Sequence, residues 1–380
     1  MGVVFGGPSP EHDVSILTGL QAARALATAG RDVGTVEALY WAKTGGFYGV
    51  DPALEASAFL EGVPRGAREL RLVAQPGGGF FTPPKGGVLG GGRERRLELD
   101  AVVNCCHGGP GEDGTLQGAL DLAGVPYTGP TAASAALGMD KLAFGAVVAG
   151  AGLPTLPRSA VGDEAVPPSW EGYAGPYIVK PRFGGSSIGI EVIEHWADVV
   201  RYLRMGGPHT ARGLVVEPYV TGAHDVNVAV RSHPALELSL FERALRSAGT
   251  GEILSYSDKY LGGEGMVSAP RELPARLAPG LRDQLAGAAR AVAGLVGARG
   301  VWRIDFLVSA DEGQWWVNEV NTVPGSLSKY LWTGEAAVEF PALLADMVDE
   351  ALKRPSAVWG STGADGSALR SAATIASKLG

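Results

Sequence analysis

The sequence lacks several features that would assign its class at once. Cysteine is nearly absent: the chain of 380 residues has two, Cys105 and Cys106, and as direct neighbours they cannot staple the fold. This usage is typical of a reducing compartment, so we expect a cytoplasmic protein. No apolar run approaches the roughly 20 residues that a membrane helix needs. Residues 1–7 also lack the basic region and the long apolar core of a secretion signal.

An excess of basic residues is missing as well. Lys and Arg number 32 against 40 Asp and Glu, which gives a net charge of −8. No basic face then supports binding to a phosphate backbone, and we expect neither nucleic acid nor a membrane as a partner. The apolar fraction of 46% and the charged fraction of 19% are those of a globular protein. The 57 glycines and 25 prolines indicate long functional loops.

Strand-like and helix-like segments alternate along the first third of the sequence. Residues 15–29 repeat apolar side chains at helical spacing, whereas short apolar runs bounded by glycine or proline are typical of buried strands. Such alternation predicts an open, mainly parallel sheet, in which ligands meet the carboxyl ends of the strands. The predicted strands are 2–5, 99–105 and 125–128, and the predicted helices are 15–29 and 115–122.

The whole chain is long enough for several domains. We expect an N-terminal α/β domain over 1–131, a central domain over 132–221, a C-terminal domain over 222–355 and a tail rich in Ala, Ser and Gly over 356–380. Past residue 130 the predicted strands are 177–181, 189–193, 213–220, 225–231, 236–245, 301–308 and 315–321, and the predicted helices are 131–149, 195–204, 281–296 and 336–352.

The most informative stretch is the pair of segments 301–308 and 315–321. Both alternate polar and apolar residues and are rich in β-branched and aromatic types, which predicts two paired strands. Alternation puts Arg303 and Asp305 on one face of the first strand. On the second strand it puts Val317, Glu319 and Asn321 on one face and Val320 on the other.

These polar residues form an oxygen-rich face. A guanidinium, two carboxylates and an amide on a sheet that buries its other side suit a hard cation that also binds phosphate oxygens. Mg²⁺ fits this description better than zinc or iron. A surface salt-bridge ladder is the alternative interpretation of the same residues.

A loop within residues 177–190 follows a strand that ends in lysine. Lys180 precedes a run of glycine and serine whose backbone N–H groups can cradle phosphates, while the lysine adds a point charge. The lysine stands before the glycines on a strand, so this is not the Walker pattern. An ordinary hairpin turn is the alternative.

A second loop, within residues 104–118, joins a strand to a helix start. His107 stands at the end of the strand, and the glycines after it lead into the helix, which is a natural place for an anion. A histidine in this position is more often functional than structural. We expect Glu112 and Asp113 to favour the helix dipole.

With these motifs in place, the sequence resembles the D-alanine–D-alanine ligases of the ATP-grasp superfamily. The resemblance implies an α/β fold in which an N-terminal open parallel α/β domain, which helps to bind substrate, precedes two ATP-grasp subdomains that clamp ATP. It also implies small amino acids as substrates and a homodimer. The matching segments, in the family's order, are 6–15, 107–118, 139–141, 179–189, 259–260, 303–305 and 319–325.

The resemblance implies a nucleotide role for residues that match the family's motifs. Lys141 and Lys180 would hold phosphates, Glu217 would face the adenine amino group and Asp225 would bind the ribose. Ser187 and Lys259 would complete the ATP site, and Asp305, Glu319 and Asn321 would ligate Mg²⁺, usually two ions in this family, with Mn²⁺ as a substitute.

The resemblance also implies a set of catalytic residues. Glu11 would anchor the ammonium of the first amino acid, and Arg303 and the Gly325 N–H would stabilise the tetrahedral oxyanion. Closure of a loop over 247–271 would keep water from the acyl phosphate. The remaining members of the set are Ser186 and Tyr260, in a network with Glu11, and His107.

The segment 325–332 departs from the family by being several residues shorter. Ser328 would replace the usual contact with the second substrate, and Lys329 brings a charge close to it. Three hypotheses remain: formation of D-alanyl–D-alanine for peptidoglycan, the same ligase chemistry with another acceptor or donor, and a non-catalytic nucleotide-binding protein. The complete phosphoryl-transfer set weighs against the third hypothesis, and the acceptor separates the first two.

Overall fold

The computed structural model describes most of the chain. The described residues are 1–28, 34–84, 93–162, 170, 173, 175–207, 210–245, 271–356 and 360–371. Within them the chain forms three β-sheets, and the strands of each sheet lie inside one of the three predicted domain ranges. The boundaries themselves stay predictions. Lys259 and Tyr260 lie outside the described residues.

The N-terminal sheet is mixed. Its strand β1 pairs in parallel with β2 and β7, which confirms a parallel centre, but β2 to β6 pair antiparallel. Strands β2 to β6 follow one another in the chain and pair with their neighbours, and the described residues between them contain no α-helix of the kind that a parallel crossover needs. The spatial order is β6-β5-β4-β3-β2-β1-β7, for β1 (Gly2–Gly6), β2 (Glu37–Trp41), β3 (Phe47–Val50), β4 (Arg68–Val73), β5 (Gly79–Thr82), β6 (Arg95–Arg96) and β7 (Val102–Asn104).

The helices of this region are α1 (His12–Thr28), α2 (Gly109–Glu112), α3 (Thr115–Ala123) and the 3₁₀ turn Ala56–Phe59. The strand predicted at 125–128 is absent from the described chain there, because Tyr127 makes one isolated bridge to Val102 and no ladder. The segment still lies against the edge of the sheet, next to β7.

The central sheet is antiparallel, with the order β10-β9-β11-β8. The helix predicted over 131–149 is divided in two at Asp140, because this residue is extended and its side chain accepts from the Leu142 and Ala143 N–H groups to begin a new helix. The elements are α4 (Ala132–Met139), α5 (Lys141–Gly150), β8 (Ser159–Val161), β9 (Tyr177–Pro181), β10 (Glu191–Ile193), α6 (Trp196–Met205) and β11 (Leu214–Pro218).

The C-terminal sheet is also antiparallel, in the order β14-β13-β12-β15-β16. Its strands are β12 (His224–Arg231), β13 (Glu237–Ala244), β14 (Arg271–Glu272), β15 (Val301–Val308) and β16 (Trp315–Asn321). The helices are α7 (Leu281–Val296), α8 (Phe340–Lys353) and α9 (Ser367–Arg370), with 3₁₀ turns at Gly325–Leu331 and Gly334–Ala336.

A single core joins the two ends of the chain. Val3 and Leu20 of the N-terminal region pack in one buried cluster with Leu331, Leu343 and Met347. A second cluster lies between α7 and one face of the C-terminal sheet, which leaves the other face of that sheet to polar residues. No helix in the described part of the chain is long and apolar enough to cross a membrane.

Candidate active site

A row of polar side chains crosses the face of the C-terminal sheet opposite α7, and three of its four members, Asn227, Glu242 and Asp305, are buried. Asn227 of β12 lies opposite Asp305 of β15, and Asp305 lies opposite Glu319 of β16. Asn227 also lies opposite Glu242 of β13, to whose carboxylate it donates over 3.1 Å. Directly opposed residues share a sheet face, so four polar side chains stand side by side. The predicted oxygen-rich face is therefore present, and it extends further than the sequence indicated.

Asp305 lies at the centre of this row. The Arg303 guanidinium donates to both of its oxygens, each over 2.7 Å, and the Asn321 amide donates to one of them over 3.0 Å. Burial alone would lower the pKa of Arg303, but the Asp305 carboxylate raises it well above its ordinary value. Arg303 therefore keeps its charge in the interior.

One residue of β16 breaks the predicted alternation. The strand pairing shifts between Asp305 and Phe306, so that Asn318 is the extra residue of a β-bulge. Val317 was expected on the face of Glu319, but that prediction was wrong. Because of the bulge, Val317 packs in the same apolar cluster as Val320.

The predicted metal ligands form a suitable donor set. Asp305 and Glu319 supply carboxylates from opposed positions, and Asn321 supplies an amide. No three His, Cys, Asp or Glu side chains cluster as a metal site within the described ranges. Two carboxylates and one amide leave coordination positions for phosphate oxygens and water, which is how proteins commonly bind Mg²⁺. The residues therefore fit the ion.

Two buried lysines approach this face from the central region. Lys141, the first residue of α5, lies with its Nζ 3.1 Å from Glu319 Oε2 and donates to the Gly184 carbonyl over 2.6 Å. Lys180 on β9 donates to Glu217 over 2.9 Å and to Asn318 over 3.1 Å. Lys141 thus contacts the predicted metal ligand Glu319, and Lys180 contacts Asn318, the residue before it in β16.

Glu217 on β11 is buried, with 1% of its surface exposed. Its second oxygen forms an ion pair with Arg158 over 2.9 Å. Burial alone would raise the pKa of Glu217, but the charges of Arg158 and Lys180 together lower it. The adenine contact proposed for Glu217 stays a prediction, as does the ribose contact of Asp225, which stands half-buried on β12 opposite Leu307.

The serine-rich loop connects β9 to β10, which pair antiparallel, so it is a hairpin connection as the alternative interpretation held. Ser186 and Ser187 both have positive φ, 53° and 58°. The turn carries Ser186 out to the N-terminal region, where its hydroxyl donates to the Glu11 carboxylate. The hairpin thereby brings together two residues predicted to act on the first substrate.

Two glycines make room for the Glu11 carboxylate. A Cβ added at Gly185 would lie 2.8 Å from Glu11 Oε2, and one added at Gly108 would lie 2.5 Å from the same oxygen. Gly108 also has φ of +64°, which disfavours a side chain on conformational grounds. The position of the carboxylate therefore depends on glycine at both places.

His107 is buried and fully hydrogen-bonded. Its Nδ1 lies 2.7 Å from the Val323 carbonyl, which can only accept, so Nδ1 carries the proton. Nε2 then accepts from the Thr18 hydroxyl at 2.8 Å, and the Thr18 oxygen accepts from the Ser326 N–H at 3.0 Å. Burial lowers the pKa of His107 to about 4. The ring thus holds the residues on either side of Pro324–Gly325, Val323 directly and Ser326 through Thr18.

Glu112 fastens the same turn from the other side, a role that the sequence analysis missed. Its carboxylate accepts from the N–H groups of Gly108 and Val323, over 2.8 and 2.9 Å, and from the Thr322 hydroxyl over 3.1 Å. Burial, with a contribution from the charge of Glu11, raises its pKa to about 7. The only feature of the sequence that could have indicated this role is the position of Glu112 in the glycine-rich loop after His107.

The segment predicted to contact the second substrate is a tight left-handed turn. Ser326, Leu327 and Ser328 have φ between 49° and 51°. Ser328 is fully buried, and its hydroxyl has no hydrogen-bond partner among the described residues. Lys329 lies with Nζ 5.0 Å from the centre of the Phe340 ring, and burial lowers its pKa.

Tyr330 connects this turn to the polar face. The Arg271 guanidinium lies 4.3 Å from its ring centre, and the charges of Arg303 and Arg271 act on its hydroxyl to lower its pKa. Burial and the charge of Glu242 outweigh the two arginines and raise the pKa of Tyr330 to about 12, so the phenol is neutral. The sequence analysis did not select Tyr330, because neither arginine is close to it in the chain.

Comparison with known proteins agrees with this geometry. Residues 1–130 match the model of the D-ala D-ala ligase N-terminus, and residues 160–349 match that of the D-ala D-ala ligase C-terminus. The D-alanine–D-alanine ligase of Mycobacterium bovis is 33% identical over 377 residues, covering 93% of this chain and 95% of the relative.

Solved structures share the fold. The D-alanyl-alanine synthetase A of Vibrio cholerae has a TM-score of 0.74 at 22% identity, with 93% of this chain and 98% of that chain covered. The VanG D-Ala:D-Ser ligase of Enterococcus faecalis has a TM-score of 0.71 at 24% identity, with 92% and 98% covered. The ATP-grasp architecture expected from the motifs is thereby confirmed. On the evidence of its two family domains and its full-length relative, the chain belongs to the D-alanine–D-alanine ligase family.

Proposed function

We propose that this protein is an ATP-dependent ligase that joins two molecules of D-alanine. The observation that carries the proposal is the ion pair between Lys141 and Glu319, whose charged atoms are 3.1 Å apart. It brings Lys141, which we assign to phosphate, against Glu319, which we assign to the metal. The relatives with the same two family domains are D-alanine–D-alanine ligases.

The nucleotide would lie between the central and C-terminal sheets. Lys141 and Lys180 now pair with the carboxylates of Glu319 and Glu217. Both lysines could exchange these partners for the phosphate oxygens of ATP, which carry more negative charge than one carboxylate. The remaining ATP contacts that we propose are Ser187 with phosphate, Glu217 with adenine, Asp225 with ribose and Lys259 from the loop outside the described residues.

Mg²⁺ would be held by Asp305, Glu319 and Asn321, and we propose two ions, for which Mn²⁺ could substitute. When bound, the metal supplies positive charge to the transferring phosphoryl group. Arg303 donates to both Asp305 oxygens, so the guanidinium would have to give up one of these hydrogen bonds for Asp305 to bind the metal. The N–H group released in this way would then be available to the substrate.

The reaction would begin at the Glu11 end of the site. Glu11, held by Ser186 and joined by Tyr260, would bind the ammonium group of the first D-alanine. The substrate carboxylate then attacks the γ-phosphorus, ADP leaves, and an acyl phosphate forms. The amine of the second D-alanine attacks the acyl carbon, and phosphate leaves as the peptide bond forms.

The oxyanion formed in the second step needs donors already in place. Arg303 and the Gly325 N–H are the donors that we propose. His107 contributes by holding the turn that carries Gly325, because its ring bonds the Val323 carbonyl and, through Thr18, the Ser326 N–H. We therefore assign His107 to positioning and leave the proton transfers to the substrates and solvent.

A second candidate is the same chemistry with a different acceptor amine. The observation that favours it is the Gly325–Leu331 turn, where the Tyr330 ring packs on Arg271 and the Ser328 hydroxyl has no partner among the described residues. The fold does not separate the candidates, since a D-Ala:D-Ser ligase shares it.

The leading proposal places the protein in peptidoglycan synthesis in the cytoplasm, as a homodimer. Phosphate release from Mg-ATP, with D-alanine alone and then with a panel of second amino acids, would test it, with products identified by mass spectrometry. D-Alanyl–D-alanine from D-alanine alone is the expected result. Turnover that begins only when another amine is added would replace the leading proposal with the second.

A further inference from the structure

Arg158, which follows α5 and precedes β8, is buried among the residues of the proposed nucleotide site. Its side chain is 3% exposed, and each of its three nitrogens meets a different segment. Nε pairs with Glu217 over 2.9 Å, Nη1 donates to the Lys141 carbonyl over 2.7 Å, and Nη2 donates to the Asn318 carbonyl. One guanidinium thus connects the start of α5 at Lys141, the carboxylate partner of Lys180 and the metal-binding strand.

Glu217 is held between two cations. Arg158 faces one of its oxygens and Lys180 faces the other, both at 2.9 Å. A buried carboxylate left without a partner is strongly destabilising, so one of the two cations can leave Glu217 only if the other stays. If Glu217 had Lys180 as its sole cation, the lysine could leave for a phosphate only by stranding the carboxylate.

Arg158 removes that restriction. Its guanidinium keeps Glu217 compensated when Lys180 moves, and its two carbonyl contacts hold it in place while this happens. Its rigid fork directs two donors at carbonyl groups while its charge stays beside Glu217, which an ammonium group could not supply in the same geometry. Arg158 therefore neutralises Glu217, and Lys180 is left available to bind phosphate.

We propose that Arg158 is a positioning residue for ATP, which holds the Glu217 carboxylate so that Lys180 is free to bind the nucleotide phosphates. This rests on the proposed function in one respect, the assignment of Lys180 to phosphate. It concerns the nucleotide half of the site and is independent of which amino acids are joined.

The test is the dissociation constant for Mg-ATP, measured by titration calorimetry in the absence of amino acids. Arg158→Met should raise this constant at least about tenfold, because Lys180 stays committed to Glu217 in most molecules. Arg158→Lys should recover part of the loss through its charge. In steady-state assays the KM for ATP should rise while the KM for D-alanine stays within about twofold.

The double variant Arg158→Met with Glu217→Gln separates electrostatics from structure. Without the carboxylate, Lys180 is no longer held, so adding Arg158→Met to Glu217→Gln should weaken ATP binding by less than about threefold. An equally large loss in both backgrounds would overturn the proposal, since it would mean that the carbonyl contacts alone matter. The double variant leaves no buried carboxylate without a cation, and Lys180 keeps its hydrogen bond to Asn318.

Arg299→Met is the matched control. Arg299 is also buried and donates to a backbone carbonyl, that of Tyr127, but it lies away from the nucleotide residues. Thermal unfolding of both variants would measure the shared cost of losing a buried arginine. Unchanged ATP affinity in Arg158→Met, with dipeptide formation by the wild type, would reject this inference alone. A wild type that binds no ATP would reject the proposed function, and this inference with it.

Discussion

Ser186 donates a hydrogen bond to Glu11, and this bond ties the loop after β9 to the beginning of α1. The two residues belong to different domains in our division of the chain and are 175 positions apart. The loop that would cover the phosphates is therefore also the support of the residue that would bind the amino acid. Order at one end of the site is coupled to order at the other.

Glu319→Gln should abolish Mg²⁺-dependent turnover while the fold is kept. The change removes a proposed metal ligand and the partner of Lys141, and loss of metal stabilisation of the phosphoryl group corresponds to at least about a 100-fold fall in kcat. Phosphate release at saturating Mg-ATP would measure it. Glu237→Gln, on the same sheet in an exposed pair with Arg231, is the control. Normal activity in Glu319→Gln would end the metal assignment.

Gly185→Ala should weaken binding of the first D-alanine. The new methyl group would lie 2.8 Å from Glu11 Oε2, so the carboxylate must move away from the ammonium position. We expect the KM for the first D-alanine to rise at least about tenfold, as expected for a displaced binding group. Gly118→Ala on α3 has open space around its Cβ and serves as the control. An unchanged KM would remove Glu11 from the ammonium site.

The stability of the protein should fall in acid through His107. Burial lowers its pKa from 6.5 to about 4 in the folded protein. The unfolded chain therefore takes up a proton first as the pH falls, so this contribution is complete above pH 6.5 and is lost as the pH falls towards 4. The shift corresponds to about 3 kcal/mol.

His107→Gln should be less stable than the wild type at pH 7.5, because it loses the bond to Val323 or to Thr18, but its stability should decline less between pH 6.5 and 4. Denaturant unfolding across this range would measure both slopes. His195→Gln, at an exposed histidine, should follow the wild type. If stability declines with pH equally in His107→Gln and the wild type, His107 takes up its proton as readily in the folded protein as in the unfolded chain, which contradicts the lowered pKa.

Tyr330→Phe should alter the second step and spare ATP binding. The ring would stay on Arg271, whereas the hydroxyl on which the charges of Arg271 and Arg303 act would be lost. Loss of a polar group beside buried charges is expected to change kcat/KM for the second amino acid by about tenfold. Kinetics with a panel of acceptors would measure this, with Tyr48→Phe as the control. A KM for ATP that changes equally would exclude a role confined to the acceptor.

Local sequence patterns predicted the strands of the site well. The bounds of β9, β15 and β16 and of helix α7 agree with the prediction, because each has strict periodicity and clear glycine or proline borders. The motif residues Lys141, Lys180 and Asp305 are also gathered as expected. The N-terminal strands between residues 37 and 96 were missed, since their short runs lack that periodicity.

What the sequence could not predict depends on contacts between distant segments. Arg158 finds its partner Asn318 160 residues away, and no local pattern marks either residue. The bulge at Asn318 is one extra residue in a strand, so strict alternation assigned Val317 to the wrong face. Asp140 is the opposite case: its capping side chain was visible in the sequence, and an unbroken helix was predicted in spite of it.

The core that unites Val3 and Leu20 with Leu343 and Met347 also has a consequence for biosynthesis. A ribosome must deliver residue 347 before this cluster can close, so the first strands emerge long before their packing partners. Until then the nascent sheet keeps apolar surface exposed, and such surface favours aggregation. Truncation of the chain before Phe340 would therefore destabilise the N-terminal region, which is synthesised first, although the truncation removes only C-terminal residues.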